Sequence, residues 1–188
     1  MTSCSLWIIE ILGNEVEEMP DDIDEFRKLV GDVPWLTSEG YLDVTKFPID
    51  SVLRQALAES ERDFFNAVMT LRSMLSNGRQ EAGVFLLGLL ADSGDDWARR
   101  TLIVDALKWF QSRGCADFLV GELKRVKSNN TTRRYLGAVL ETLSRMPLEF
   151  VETALQDLAA DTSFTPKMRD KFEQLWFDMK REAALRRR

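Results

Sequence analysis

Leu89-Leu90-Ala91-Asp92-Ser93-Gly94-Asp95-Asp96-Trp97-Ala98-Arg99-Arg100 reads as the end of one helix, a tight break and the start of the next. The apolar residues close a helix over about 80–91, which carries Val84, Phe85, Leu86, Leu87, Leu89 and Leu90. A helix apolar nearly all round is expected to be buried on most faces. Asp92-Ser93-Gly94-Asp95 breaks the chain. The next helix, over 96–112, carries Ile103, Ala106, Leu107 and Phe110 on one face and ends before Gly114.

The same grammar runs in both directions. Upstream, Ser60-Glu61-Arg62-Asp63 has the form of a capping box. Phe64, Val68, Leu71 and Leu75 follow at helical spacing, and Asn77-Gly78 supplies a left-handed C-terminal cap. Ile49, Val52, Leu53 and Leu57 mark a shorter helix that pairs with it. Downstream, helices are expected over 115–127 (Phe118, Leu119, Leu123, Val126), 131–145 (Leu136, Val139, Leu140, Leu143) and 148–160 (Phe150, Val151, Leu155, Leu158). A last helix opens at Thr165-Pro166 and presents Phe172, Leu175, Trp176 and Met179.

Alternate helices align. Val68, Ile103, Leu136 and Phe172 are spaced by 35, 33 and 36 residues. Leu71, Ala106, Val139 and Leu175 repeat those spacings, as do Leu75, Phe110, Leu143 and Met179. A period in the thirties with two helices per unit is the mark of stacked helical pairs. The segments Gly83–Gly114, Ala116–Pro147 and Glu149–Met179 resemble HEAT-type, or armadillo-like, repeats over roughly residues 60–180. The closest stretches are the one quoted first and Ser128-Asn129-Asn130-Thr131-Thr132-Arg133-Arg134. The resemblance implies an all-α fold, an α-α superhelix of about three to four helical hairpins, with residues 48–188 as the repeat domain. Residues 1–47 are expected to form an acidic N-terminal capping segment. Within them, a short helix spans Pro20 to Val30-Gly31, Leu6-Trp7-Ile8-Ile9 suits strand or helix, and Gly31 to Phe47 is irregular.

Charge is unevenly placed. The chain of 188 residues has a net charge of −6, but residues 1–60 hold 13 acidic and 4 basic side chains, a net of −9. Residues 61–188 hold 18 acidic and 21 basic, a net of +3. Such a split suits two surfaces of opposite sign. The longest apolar run, Gly83 to Ala91, is about half the roughly 20 residues a bilayer crossing needs. The N-terminus lacks a basic region and is broken at Glu10, a poor secretory signal. Cys4 and Cys115 are the only cysteines, and a reducing cytoplasm fits best.

The residue types argue against chemistry. The chain has no histidine, which removes the commonest general base, the histidine-activated nucleophiles and most zinc sites. No glycine-rich phosphate loop occurs. Asp92, Asp95 and Asp96 are the densest carboxylates, and their expected role is to cap a helix start. No enzyme activity and no cofactor or metal is expected.

Binding is the remaining expectation, with a protein or peptide as partner and no membrane. Trp109 and Phe177 are candidate exposed anchors; Phe177 lies about 100° around its helix from Trp176, which belongs to the core face. Glu122, Lys124, Arg125 and Lys127 form the polar face of their helix. The resemblance places that face on the concave side of the superhelix. One specific form of the reading is an inhibitor or immunity-type protein whose acidic surface captures a basic partner. The rival is nucleic-acid binding along an arginine ridge of Arg99, Arg100, Arg133, Arg134 and Arg169, similar to that of HEAT-type DNA glycosylases. These arginines open helices, where the dipole disfavours cations, so a ladder of ion pairs to neighbouring turns is their expected structural role.

Overall fold

The computed structural model describes Trp35 and residues 43–186. The expected helix over 20–30, the Leu6–Ile9 segment, Cys4 and most of the acidic capping segment lie outside the described residues. Among the described residues the chain is all-helical, with eight α-helices and one short 3-10 turn. It divides into two compact units, Met1–Arg79 and Gln80–Arg188.

In the first unit, helix α1 (Ile49–Ala56) packs on α2 (Glu61–Ser76). Ser60 caps α2 through its hydroxyl, which accepts from the Asp63 amide at 3.3 Å. Phe64, Ala67, Val68, Leu71, Met74 and Leu75 form the buried stripe of α2. The helix ends as the sequence indicates. Gly78 adopts φ +93°, its amide reaches the Leu75 carbonyl, and the Arg79 amide reaches that of Met74, the two bonds of a Schellman cap. The Arg79 guanidinium then donates to the Phe47 carbonyl at 2.6 Å. α1 ends one residue short of the apolar spacing, so Leu57 serves as its C-cap and is exposed.

The second unit holds α3 (Gln80–Asp92), α4 (Trp97–Ala106), the 3-10 turn Leu107–Trp109, α5 (Arg113–Arg125), α6 (Arg133–Leu143), α7 (Leu148–Ala160) and α8 (Pro166–Arg186). α3 packs on α4, α4 on α6, α5 on both α6 and α7, and α7 on α8. Asp96 caps α4, its carboxylate accepting from the Ala98 and Arg99 amides. The Thr142 hydroxyl, fully buried, donates to the Val104 carbonyl at 3.0 Å and fastens α6 to α4. The aligned positions Ile103, Leu136, Phe172, Ala106, Val139, Phe110, Leu143 and Met179 are all buried. Leu175 is only half-buried.

Two expectations are corrected. α3 is not buried on most faces: Ala82, Gly83, Leu86 and Leu90 turn inward, while Val84 and Phe85 are exposed. Helix 96–112 is also interrupted. The backbone tightens at Leu107, Phe110 leaves helical geometry with ψ 83°, and Ser112 is extended. α5 therefore starts at Arg113, and Gly114 lies in its first turn rather than ending the preceding helix.

The departure of Phe110 has a steric partner. Its ring lies so close over Gly83 that a Cβ there would stand 2.4 Å from two ring carbons. Phe110 is nearly buried, so the ring has little room to retreat. Gly83 is thus the site of close contact between α3 and the chain leaving α4. Gly88, one turn on, faces open space. Gly83→Ala is expected to destabilise the protein by about 1–3 kcal/mol through overpacking. Gly88→Ala should stabilise it by about 0.5–1 kcal/mol, the ordinary helix-interior gain. Urea unfolding of the two variants beside wild type checks both signs.

Candidate functional site

The second unit is centred on a buried ion pair. Arg100, in the first turn of α4, is 2% exposed. A cation there opposes the dipole of its own helix, and the contacts of the guanidinium explain its place. Its Nη1 donates to the Leu90 carbonyl at 2.9 Å and to the Gly94 carbonyl at 3.0 Å. The charge therefore satisfies the C-terminal end of α3, where a cation is favoured. Its Nη2 pairs with Glu122 of α5 and donates to the Tyr135 hydroxyl of α6 at 3.2 Å. Tyr135 in turn donates to Glu122 Oε2 at 2.6 Å. The Trp97 and Tyr135 rings lie 5.6 and 5.1 Å from the guanidinium carbon, within cation–π range.

Glu122 does not belong to the exposed polar face expected of α5. It is 6% exposed, drawn inward by Arg100 and Tyr135. Arg125 closes the cluster from outside, with Nε 2.9 Å from Oε1 and Nη2 3.0 Å from Oε2. Burial pushes the Glu122 carboxyl up, but Arg125, Tyr135 and Arg100 outweigh it and hold it below the ordinary carboxylate value. Burial and the bond to Glu122 push the Tyr135 phenol well above its usual range.

The arginines of the expected ridge do not share one environment. Arg100 is buried and unreachable by a large ligand. Arg99 lies 3.6 Å from Asp96 of its own cap. Arg133 is exposed and donates to the Asn130 side chain at 3.1 Å. Arg134 is exposed, and Arg169 is half-buried. The ladder of ion pairs is therefore present at Arg99 and Arg100 and does not continue to Arg133. Lys124, Arg125 and Lys127 stand at the surface beside Arg133 and Arg134 in sequence.

The two aromatic candidates are both surface residues, Trp109 at 53% and Phe177 at 51% exposure. Trp109 closes the 3-10 turn, next to Lys108, whose ammonium bridges Asp105 and Glu141 at 2.9 Å each. Phe177 stacks on Trp176, with ring centroids 4.7 Å apart. Trp176, expected on the core face of its helix, is half-buried. Lys180 lies 5.1 Å from its ring, and its Nε1 donates to Glu152 at 3.4 Å. The structure thus gathers Glu122 and Arg125 into one cluster and leaves Trp109 and Phe177 on separate elements.

Tyr135 is the residue the sequence reading missed. Its signal was a hydroxyl-bearing ring on the inward face of an otherwise apolar helix, which requires a buried hydrogen-bond partner. Among the described residues no three His, Cys, Asp or Glu side chains gather as a metal site, and no helix is long and apolar enough to cross a membrane. Compared with protein-family profiles, curated proteins and solved structures, the chain has no match. Its function is therefore argued from its own residues.

Removing one member of a buried pair leaves the other uncompensated, at a cost of about 3–5 kcal/mol. Glu122→Gln is expected to fall in that range. Arg100→Met combined with Glu122→Met should cost clearly less than the two single changes added together. Because the folded value of Glu122 is depressed, its contribution is complete above the unfolded carboxylate value of about 4.3. It is lost as pH falls through the lower folded value. Urea midpoints measured from neutral pH down into that range should drop more steeply for wild type than for Glu122→Gln.

Proposed function

We propose that this chain is a non-enzymatic helical-repeat module that binds a protein or peptide partner. The observation that carries the reading is the pair of large aromatic side chains, Trp109 and Phe177, each half-exposed on a well-packed unit. Aromatic anchors of this kind dominate interface energies. The HEAT-like superhelix belongs to the same proposal. It is supported by packing between helices two apart in sequence, α4 with α6 and α5 with α7, and by burial of the aligned apolar positions. The partner lies along the concave face, in a cytoplasmic setting. The acidic N-terminal residues serve as cap or second contact surface, and an inhibitor or immunity-type role is one form this takes.

The nucleic-acid reading is weakened by the loss of Arg100 to the interior and by the pairing of Arg99 with Asp96. Affinity capture from the native host, with the full chain and its Trp109→Ala and Phe177→Ala variants as baits, separates the two. A bound protein is expected whose affinity falls by ~30-fold or more in at least one variant, as truncation of a hot-spot ring produces. Melting temperatures should stay near wild type, because neither ring is buried. Capture of nuclease-sensitive material, or of no species that depends on either ring, overturns the proposal.

A further inference from the structure

We propose that the turn joining α5 to α6 is a docking surface for an acidic polypeptide segment of the partner. The inference rests on the interaction-module reading and adds the chemistry of what is bound. Between Glu122 and Glu141 the chain carries five cations, Lys124, Arg125, Lys127, Arg133 and Arg134, and no carboxylate. All five are exposed. In a chain of net charge −6, that is a sharp local reversal of sign.

Among the described residues the fold does not neutralise this patch. Glu122 carries one negative charge and already faces two guanidiniums, Arg100 and Arg125, so the cluster keeps one positive charge. Among the described residues no carboxylate forms an ion pair with Lys124, Lys127, Arg133 or Arg134. Two carboxylates act on the patch through space without forming an ion pair with it. Asp161 is held below its usual value first by the Ser163 amide and side chain, and only last by Lys124. Asp95 is the weakest of the influences on Arg125. Four like charges without an ion-pair partner, beside the net positive Arg100–Glu122–Arg125 cluster, cost the folded state some repulsion, which an acidic ligand would relieve.

The turn is also held in shape. Val126 and Thr132 are buried at its two ends. The Thr132 hydroxyl donates to the Lys127 carbonyl at 2.7 Å and accepts from the Asn129 amide at 3.0 Å. Asn129 Oδ1 accepts from the amides of Thr131 and Thr132. Those two amides, just ahead of α6, are thereby taken, and the five side chains are what the turn offers to a ligand's acidic groups. Lys127 and Arg133 are presented from a fixed backbone frame, with little backbone ordering left to occur on binding.

The extent of the patch selects an acidic peptide over nucleic acid. A polynucleotide needs cations tracking its backbone over many phosphates and favours a strongly basic domain. Here the row stops, because Arg100 is buried and Arg99 sits beside Asp96. A few carboxylates fill what remains.

Fluorescence anisotropy at low salt, on the full chain, tests this with a labelled octaglutamate peptide, its octaglutamine counterpart and a labelled single-stranded oligonucleotide. Octaglutamate is expected to bind, and to bind at least tenfold tighter than octaglutamine. The triple change Lys124→Glu, Lys127→Glu, Arg134→Glu should weaken it at least tenfold, while the distant pair Lys171→Glu, Lys180→Glu leaves it unchanged. If circular dichroism shows the triple variant unfolded, Gln at the same three positions replaces Glu and the same tenfold loss is required. No octaglutamate binding, equal binding by the triple variant, or tighter oligonucleotide binding lost in that variant overturns the inference. Retained partner capture through Trp109 or Phe177 alongside failed octaglutamate binding sinks this inference alone.

Discussion

The second unit depends on the placement of one charge in its interior. Arg100 leaves the first turn of α4 and reaches across to the Leu90 carbonyl near the end of α3 and the Gly94 carbonyl just past it, to Glu122 on α5 and to Tyr135 on α6. Four helices therefore meet on one guanidinium. A buried ion pair adds little net stability over a well-packed apolar substitute. Its role here is geometric, because its contacts tie α3, α4, α5 and α6 together at one point. Two devices at other levels, one polar and one steric, act in the same sense: the Thr142 hydroxyl on the Val104 carbonyl and the close seat of the Phe110 ring over Gly83.

The helical framework was legible because it is written in local terms. The Ser60 cap, the Asn77-Gly78 ending, the break at Asp92–Asp95 and the proline at the start of α8 each involve residues a few positions apart. α7 occupies the expected 148–160 for the same reason. What stayed hidden involves distant partners. The burial of Glu122 is decided by Arg100, 22 positions away, and by Tyr135 on another helix. A glutamate followed by Lys124 and Arg125 looks like part of a solvated face until those partners are in place. α3 illustrates the opposite case. An all-apolar helix has no preferred side in the sequence, and only the packing of α4 and Phe110 determines that Val84 and Phe85 face outward.

At the candidate site the same distinction separates what could be read from what could not. Phe177 was legible as exposed because its direction relative to Trp176 follows from helix geometry alone. Trp109 was legible as an exposed anchor, but not as standing on a 3-10 turn after α4 has ended. The arginine series was misleading as a series. Arg100, Arg133 and Arg169 share a register, yet the first is buried, the second exposed and the third half-buried. A register fixes which way a residue points from its helix axis; it does not fix what has been packed against it.

That difference bears on how one chain uses cations for two purposes. Arg100 is neutralised, desolvated and committed to holding helices, and its removal from the surface shortens the basic row to the α5–α6 turn. Arg125 stands between the two roles, since its guanidinium closes over Glu122 while its side chain remains 52% exposed. It receives its position from the interior pair and presents its remaining donors to solvent. The surface charge of the turn is therefore anchored, through Glu122, to the same interaction that orders the helices. A partner that engages the turn would be touching the outer end of the fold's own central contact, so binding there and the stability of the unit are linked through Glu122.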